Sequence, residues 1–165
     1  RRGCGRKGSR SDMAFLSSMN IVASGMTAQQ LRLDVVAENV TNSTTTRTEA
    51  GGPYRRKMVV FQSVAGRDDF RAAMARAAGG LAPNTGASPA GGVRVTQIVE
   101  DPSPMKLVYD PTHPDANEDG YVEMPNVDMV KEMTDAMAAT QAYSANVTAF
   151  NTLKSVVAKG LEIGR

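Results

Sequence analysis

Apolar residues recur at alternating steps of three and four near the beginning of the chain. The series runs from Phe15 through Met19, Val22, Met26, Gln29, Leu33 and Val36 to Val40, and Gln29 is its one polar member. This spacing is typical of a helix with a narrow apolar seam, as in a coiled coil, rather than of a helix with a broad globular face. The pattern therefore predicts a helix over residues 13–42. Cap-forming and β-branched residues after it, from Asn42 to Thr46, favour its end there.

A second stretch, residues 126–165, has a similar pattern. It lacks Pro, and Thr140 and Lys154 interrupt an otherwise apolar stripe. Asn126 or Asp128 is expected to cap the start of this second helix, where the helix dipole also favours acidic side chains. The stripe consists of Met133, Ala136, Tyr143, Val147, Phe150, Val157 and Leu161.

Between the two helical stretches the pattern changes to short runs rich in strand-forming residues. Residues 53–64, 91–101 and 103–110 are such runs, each bounded by Gly, Pro or Asp, and they predict three or four antiparallel strands. Residues 68–78 are Ala-rich and predict a short helix. Residues 79–92 are a Gly/Pro/Ala/Ser segment typical of a flexible loop.

The predicted fold class is therefore α+β: long N- and C-terminal helices packing as a coiled-coil-like layer, with a small antiparallel β module between them. We assign residues 13–42 and 126–165 to the helical domain and residues 43–125 to the β-rich outer module. Each helix has an apolar seam that needs a partner. That partner is either the other helix of the same chain or a helix of another copy, and the sequence does not separate the two.

The charge distribution argues against nucleic-acid binding. The formal net charge is +2, but five of the 19 Lys and Arg residues lie in residues 1–12, with one of the 17 acids, so the rest of the chain has a small acidic excess. A nucleic-acid-binding domain usually carries its basic excess on the folded part. Residues 1–12 are expected to be a disordered basic tail. That tail is either inert, and not necessarily native because Met13 opens the helical pattern, or a tether to an anionic surface.

Other features exclude further classes. The single Cys allows no intrachain disulfide, and no apolar run reaches the 18 residues of a membrane span. We expect no cleavable signal peptide, because no suitable apolar region follows the basic tail. The one His, His113, stands between Thr112 and Pro114, and no nucleophile, zinc or phosphate-loop motif accompanies it. We therefore expect neither catalytic nor cofactor-binding residues, and no enzymatic activity.

One segment partly matches a calcium-binding loop. Asp115, Asn117, Asp119 and Gly120 occupy positions 1, 3, 5 and 6 of such a loop, but position 12 is Asn126 instead of the bidentate Glu. Prolines before Asp115 also exclude the helix that should precede the loop. We interpret residues 110–128 as a stiff polar connector, with a reversal at Gly120, that leads into the last helix.

Three longer words carry a resemblance to a known family. NVTNSTTTRTEAGGPYRRKMVVF (39–61) resembles the segment that follows the first helix in rod proteins of the bacterial flagellum, especially those of the proximal rod. DPTHPDANEDGYVEMPNVDMVKEM (110–133) resembles the entry of that family into its last helix, and AYSANVTAFNTLKSVVAKGLEIG (142–164) resembles its close. The resemblance extends over residues 13–165.

The resemblance implies a structural subunit of the proximal rod in the flagellar basal body. Such a subunit would help to transmit torque from motor to hook, would line the export channel with its helices, and would be needed for flagellum assembly and motility. It would reach the periplasmic rod through the flagellar type III export apparatus without a cleavable signal peptide. Its implied partners are other rod proteins, copies of itself and the rod–ring adaptor. The alternatives are another axial rod or hook subunit, a non-flagellar coiled-coil type III secretion substrate, and a calcium-regulated binding protein.

The seams and the resemblance together predict the residues of an assembly interface. In the segment after the first helix, the glycines permit a sharp reversal and the two arginines would face carboxylates of a neighbouring subunit. We also expect the terminal helices to be frayed in the free monomer and to order on assembly. The candidate residues are Phe15, Met19, Val22, Met26, Leu33, Val36 and Val40; Thr46, Arg47, Gly51, Gly52, Pro53, Tyr54, Arg55 and Arg56; and Met133, Met137, Tyr143, Val147, Phe150 and Leu153.

Overall fold

The computed structural model describes residues 8–49, 51–64 and 91–163, together with Met74 and Ala77. Two long helices flank four strands, which confirms the α+β fold class. The elements in chain order are α1 Gly8–Thr41, β1 Lys57–Ser63, β2 Val93–Glu100, β3 Lys106–Tyr109, β4 Tyr121–Met124 and α2 Met129–Ile163.

The chain divides into two compact units, and both long helices contribute to each. Unit 1 comprises Arg1–Ala28, Phe61–Arg94 and Tyr143–Arg165, and unit 2 comprises Gln29–Val60 and Val95–Ala142. Apart from Ala28 and Gly92, every buried residue among the described side chains belongs to unit 2.

Helix α1 begins earlier than its apolar seam predicts. It starts at Gly8, so residues 8–12 of the segment expected to be a disordered tail are helical. No proline interrupts these residues, and extending an established helix costs far less than starting one. At the other end, the amide of Asn42 donates to the carbonyl of Glu38 at 3.0 Å, so the helix ends within one residue of the predicted position.

The four strands form two separate two-stranded sheets, β1–β2 and β3–β4. Strand β4 lies inside the segment that the sequence indicated to be a connector, so that interpretation was wrong in part. The chain turns at Gly120, whose φ is +79°, and β4 then pairs antiparallel with β3 from Lys106↔Met124 to Tyr109↔Tyr121. Residues 110–128 thus contain half of a β-hairpin, and the predicted reversal at Gly120 is confirmed.

Two predicted features lie mostly outside the described residues. These are the short helix over residues 68–78, of which Met74 and Ala77 are described and helical, and the loop over residues 79–92, of which only the last two glycines are described.

Helix α2 is capped by Asp128, as one of the two predicted alternatives requires. The Asp128 carboxylate accepts the amide of Val130 at 3.1 Å, and its carbonyl accepts the amide of Glu132 at 3.0 Å. Within the described residues, neither α1 nor α2 is apolar enough to cross a membrane.

The described core is small and lies mainly in unit 2. Burying one aliphatic side chain stabilises a fold by roughly 1.5–3 kcal/mol. Two polar residues, Asn39 and Glu132, are as deeply buried as the apolar ones. The buried apolar side chains are Ala28, Val35, Val36, Tyr54, Val122, Val127 and Ala139.

Candidate functional site

A buried carboxylate stands in the first turn of α2. The side chain of Glu132 is fully buried; its Oε1 accepts a hydrogen bond from Nε of Arg56 at 2.6 Å, and its Oε2 accepts one from Nδ2 of Asn39 at 3.1 Å. The N-terminal end of a helix favours negative charge. Both carboxylate oxygens are therefore satisfied in a place where an unpaired charge would be very costly.

Asn39 connects this carboxylate to the segment that precedes and begins β1. Its Oδ1 accepts the hydroxyl of Tyr54 and the amide of Lys57, both at 2.9 Å, and its Nδ2 donates to the carbonyl of Lys57 at 2.9 Å as well as to Glu132. These bonds use every donor and acceptor site of the amide group. A single α1 side chain thus joins α1, the start of β1 and α2.

Arg56 provides the cation of the site. Its Nη1 lies 3.7 Å from Asp101 and its Nη2 3.5 Å from Asp135, besides the hydrogen bond to Glu132. Burial on its own would lower the pKa of Arg56, but the hydrogen bond and charge of Glu132, helped by the two aspartates, raise that pKa above its ordinary value. Each of the three guanidinium nitrogens therefore lies within 4 Å of a carboxylate of its own chain.

This placement corrects one expectation and sharpens another. The carboxylate partners of Arg56 belong to its own chain, where the sequence predicted carboxylates of a neighbouring subunit. Arg55, in contrast, is exposed and has no ion pair with any residue that the structure describes. Consecutive residues in an extended segment point to opposite sides, which explains the different surroundings of the two arginines.

Asn126 serves this site instead of capping α2. Its Oδ1 accepts the amide of Arg56 at 2.8 Å, and its Nδ2 lies 3.2 Å from the carbonyl of Asp101 and 3.3 Å from that of Ser103. The hydroxyl and amide of Ser103, followed by Arg56, lower the pKa of the Asp101 carboxyl. We name the set Asn39, Tyr54, Arg56, Asn126 and Glu132 the polar clasp.

Tyr54 closes the polar clasp on the side of α1. Burial, and then the carboxylates of Glu38, Glu132 and Glu100, raise the pKa of Tyr54 to about 12. The Nζ atom of Lys57 lies 5.6 Å from the centre of the Tyr54 ring and also pairs with Glu38. Tyr54, predicted to belong to an assembly interface, is thus a core residue of its own chain.

The loop between α1 and the polar clasp folds back on itself at two glycines. Gly51 and Gly52 both have φ of +84°, a conformation that glycine adopts without strain, so the predicted reversal is confirmed. The amide of Thr48 donates to the carbonyl of Gly52 at 2.9 Å, and the amide of Tyr54 donates to that of Thr45 at 3.1 Å. These bonds fix the path by which Tyr54 reaches α1.

The same loop contacts the β3–β4 hairpin through Asp115. The hydroxyl of Thr46 donates to Asp115 at 2.8 Å, while Nη1 of the largely exposed Arg47 lies 4.0 Å from the same carboxylate. Asn117 and Gly120 form the turn of the hairpin, in which the amide of Gly120 donates to the carbonyl of Asn117 at 2.8 Å. The aspartate that begins the partial calcium motif therefore joins two loops.

The predicted seam residues fall into two groups. On α1, Val36 is buried, and Met19, Val22, Met26, Leu33 and Val40 are half-buried; the side chain of Phe15 lies outside the described part. On α2, Tyr143, Val147, Phe150 and Leu153 are half-buried, whereas Met133 and Met137 are 57% and 64% exposed.

The buried face of α2 in unit 2 therefore differs from the predicted stripe. It passes through Glu132 and Ala139, and Asp135 on the same side pairs with Arg32 of α1 at 2.9 Å. Positions 132, 135 and 139 share one helical face. A search for regularly spaced apolar residues does not find this face, because its main contacts are polar. On α1, Oε1 of Gln29, the polar member of the seam, is buried without a hydrogen-bond partner among the described residues.

Unit 1 has a smaller junction of its own, between α1 and the start of β2. The hydroxyl of Ser24 accepts the amide of Val93 at 3.0 Å and donates to the carbonyl of Ile21 at 2.7 Å. Gly92 is buried with φ of +111°, and a Cβ atom there would lie 2.3 Å from the Ser24 oxygen. Only glycine fits this approach of the chain to the helix.

The sequence patterns did not predict the polar clasp, although its residues lie in the words that resemble the rod proteins. Asn39 opens the first word that carries the family resemblance, and Asn126 and Glu132 lie within the second. The fold buries Asn39 and Glu132 and uses Asn126 to connect the segment before β1 with the segment after β2. No group of three or more potential metal ligands occurs within the described residues.

Comparison with known proteins identifies the family. Residues 19–47 match the model of the flagella basal body rod protein family, and residues 118–163 match that of the flagellar basal body rod FlgEFG protein C-terminal family. These two ranges include Asn39, Asn126 and Glu132 of the polar clasp.

Curated relatives match the chain over nearly all of its length. The flagellar basal-body rod protein FlgC of Bacillus subtilis (strain 168) is 46% identical over 158 residues, which cover 93% of this chain and 100% of the relative. The proteins of the same name from Borreliella burgdorferi and Escherichia coli O157:H7 are each 42% identical, over 92% and 93% of this chain and 98% and 100% of their own lengths. These names describe a structural component and not an enzyme. The chain belongs to the FlgC family of flagellar basal-body rod proteins, and it is a structural subunit of the rod in the bacterial flagellar basal body.

Proposed function

We propose that this protein is a subunit of the proximal rod and that it transmits torque from the motor towards the hook. The observation that carries this proposal is the polar clasp. A shaft element must not hinge where its outer module joins its helices. The polar clasp ties α1, the start of β1 and the start of α2 together through hydrogen bonds centred on the buried Asn39 and Glu132.

In this proposal the two long helices form the inner layer of the rod and line the export channel. The helical core comprises residues 13–42 and 126–165, and residues 43–125 form the outer module. The faces of α1 and α2 that lack apolar residues are rich in Ser, Thr, Asn and Gln, which suits a hydrophilic channel wall. The half-buried seam residues would be completed by helices of neighbouring subunits.

We further propose that the chain is exported unfolded by the flagellar type III apparatus, without a cleavable signal peptide, and folds in the periplasmic rod. Its partners there would be other rod proteins, copies of itself and the rod–ring adaptor. The modest apolar core of the described residues is compatible with this route, because a subunit that must pass unfolded through a narrow channel cannot resist unfolding strongly.

The contacts already described divide the proposed interface residues. Tyr54, Arg56 and Val36 stabilise the subunit itself, while the exposed Arg55, Met133 and Met137 face outwards and are available to neighbours. Thr46 and Arg47 contact Asp115 within the chain, so we assign these two residues to the junction of two loops of the subunit.

Deletion of the gene, with complementation, tests the proposal. The deletion strain should lack flagella and should not swim, the wild-type gene should restore both, and a tagged subunit should copurify with basal bodies. Subunit-resolved imaging of these basal bodies should place both long helices next to the export channel. A deletion strain that swims normally, or a protein absent from intact basal bodies, would contradict the proposal.

A further inference from the structure

An exposed apolar stripe runs along α2 in unit 2. Val130, Met133 and Met137 are 73%, 57% and 64% exposed. Their spacing of three and four places them on one helical face, over about 10 Å of helix. Contiguous apolar groups of this kind on a protein surface mark interaction sites. We name these three residues the methionine stripe.

A second apolar patch of a different kind lies on the β3–β4 hairpin. Leu107, Tyr109 and Tyr121 are 65%, 64% and 44% exposed. Tyr109 pairs across the strands with Tyr121, and the two rings stand 5.3 Å apart at 67°, edge to face. Because side chains alternate along a strand, this face is opposite the one that buries Val122. We name these three residues the tyrosine face.

Beside each patch lies an exposed charged side chain that has no ion pair with a described residue, and the two charges are opposite. Glu123 is paired in register with Leu107, beside the tyrosine face, and Lys131 follows Val130 at the end of the methionine stripe. Both side chains are exposed, and neither forms an ion pair with a described residue. The two patches are thus both apolar, and the charges beside them are complementary.

We propose that the methionine stripe of one subunit receives the tyrosine face of a second copy of this chain, with Lys131 opposite Glu123. The inference rests on the proposed function as a rod subunit that assembles with copies of itself. Identical subunits that propagate along a helical assembly need two different patches that fit each other, and unit 2 carries such a pair. Methionine sulfur also makes favourable contacts with aromatic rings.

The small size of the two patches fits a contact that forms only in the assembly. Six apolar side chains cover a few hundred square ångströms, well below the roughly 1,200 Å² that a stable interface between two free proteins buries. The purified chain therefore stays monomeric, and the contact forms where neighbouring subunits hold the two patches together.

Disulfide cross-linking in intact basal bodies tests the contact. In a Cys4→Ser background, the Met133→Cys/Tyr109→Cys double variant should give covalent dimers and higher multimers of the chain on mild oxidation. Neither single variant should give covalent multimers, because the methionine stripe of one subunit contacts the tyrosine face of another and not a second methionine stripe. The matched control is the Met133→Cys/Val60→Cys double variant, in which Val60 is an exposed apolar residue outside both patches. This control should also give no covalent multimers.

Charge reversal provides an independent test that requires no cross-link. Lys131→Glu and Glu123→Lys should each cause loss of most flagella, because each places like charges together. The double reversal should restore them. Both single variants should be secreted at the wild-type level, which shows that export is intact.

The outcomes separate this inference from the proposed function. Double variants that enter basal bodies without forming multimers, multimers from Met133→Cys alone, or charge reversals that do not rescue each other overturn the contact and leave the rod function standing. Absence of the wild-type chain from basal bodies refutes the rod function itself.

Discussion

Removal of the buried carboxylate of Glu132 should destabilise the subunit more than any other single change of an acidic residue on α2. Glu132→Ala removes the hydrogen-bonded partner of Arg56 at 2.6 Å and an acceptor for Asn39 at 3.1 Å, and it leaves both groups in a site where Glu132 itself is fully buried. Breaking a buried ion pair from one side costs about 3–5 kcal/mol. The outer carboxylates of Asp101 and Asp135 still face Arg56, so the lower end of that range, about 3 kcal/mol, is expected.

Urea unfolding of the purified chain, followed by circular dichroism, measures this effect. A loss of about 3 kcal/mol is a large part of the 5–15 kcal/mol that typically stabilises a domain, and it increases the unfolded fraction by roughly a hundredfold. Glu162→Ala, which removes an exposed acid near the other end of α2, is the matched control and should change the free energy of unfolding by less than about 0.5 kcal/mol.

A double-mutant cycle distinguishes the ion pair from general damage to the helix. Arg56→Met and Glu132→Met should each destabilise strongly, but the combined variant should lose much less than the sum of the two, because no unpaired charge remains buried. If Glu132→Ala is as stable as Glu162→Ala, or if the cycle is additive, the polar clasp does not hold the subunit together and the reasoning is refuted.

Four further predictions concern pH, backbone conformation, assembly and local stability. The pKa of Tyr54 is raised to about 12 from an unfolded value of 10.0, so its contribution of roughly 2–3 kcal/mol to stability is present below pH 10 and is lost as the pH rises towards 12. Urea denaturation between these pH values should show this loss of stability in the wild type and in the control variant Tyr109→Phe. If Tyr54→Phe loses the same amount of stability over this pH range, the assignment to Tyr54 is refuted. Gly92→Ala should lower the free energy of unfolding by at least about 2 kcal/mol, because it adds strain at φ +111° and a methyl group 2.3 Å from the Ser24 oxygen. Gly51→Ala, which has open space around it, should lower that free energy by only about 1 kcal/mol. Equal urea midpoints for the two variants would contradict this difference. Phe150→Asp should abolish swimming on soft agar while the subunit remains detectable in the secreted fraction, and normal swimming would contradict a packing role in the rod. Hydrogen exchange on the free chain should be slow in the part of α1 that belongs to unit 2 and fast in the part that belongs to unit 1, because the buried contacts of the described residues lie almost entirely in unit 2. Uniform strong protection along α1 would exclude this difference.

The features that the sequence predicted correctly depend on local chemistry. The end of α1 near Asn42 and the start of α2 at Asp128 follow from cap-forming residues, and the reversals at Gly51 and Gly120 follow from the freedom of glycine to adopt positive φ. Strand β4 was missed because the prolines and acids before it indicate an irregular segment. What makes YVEM a strand is its pairing with Lys106–Tyr109, and that pairing is a property of the folded hairpin.

The polar clasp was beyond the reach of pattern analysis for a different reason. Asn39 and Glu132 are 93 positions apart, and on an isolated helix each would be assigned to the solvent-facing side. Periodicity identifies helical faces that exclude water, but it cannot identify a polar side chain whose partners come from distant segments. For the same reason the apolar stripe of α2 did not include Glu132 and Ala139, which are its most deeply buried residues in unit 2.

A polar joint has a physical advantage over an apolar one for a subunit that must travel unfolded and then hold a fixed geometry. An apolar contact is tolerant of direction, so a joint made of Val and Leu could settle at several angles with little loss of energy. The bonds of Asn39 and Glu132 are directional, and each buried group that misses its partner is penalised. The polar clasp therefore strongly favours one arrangement of α1, β1 and α2 over its alternatives. It also adds little apolar surface that could cause aggregation before the subunit reaches its place in the rod.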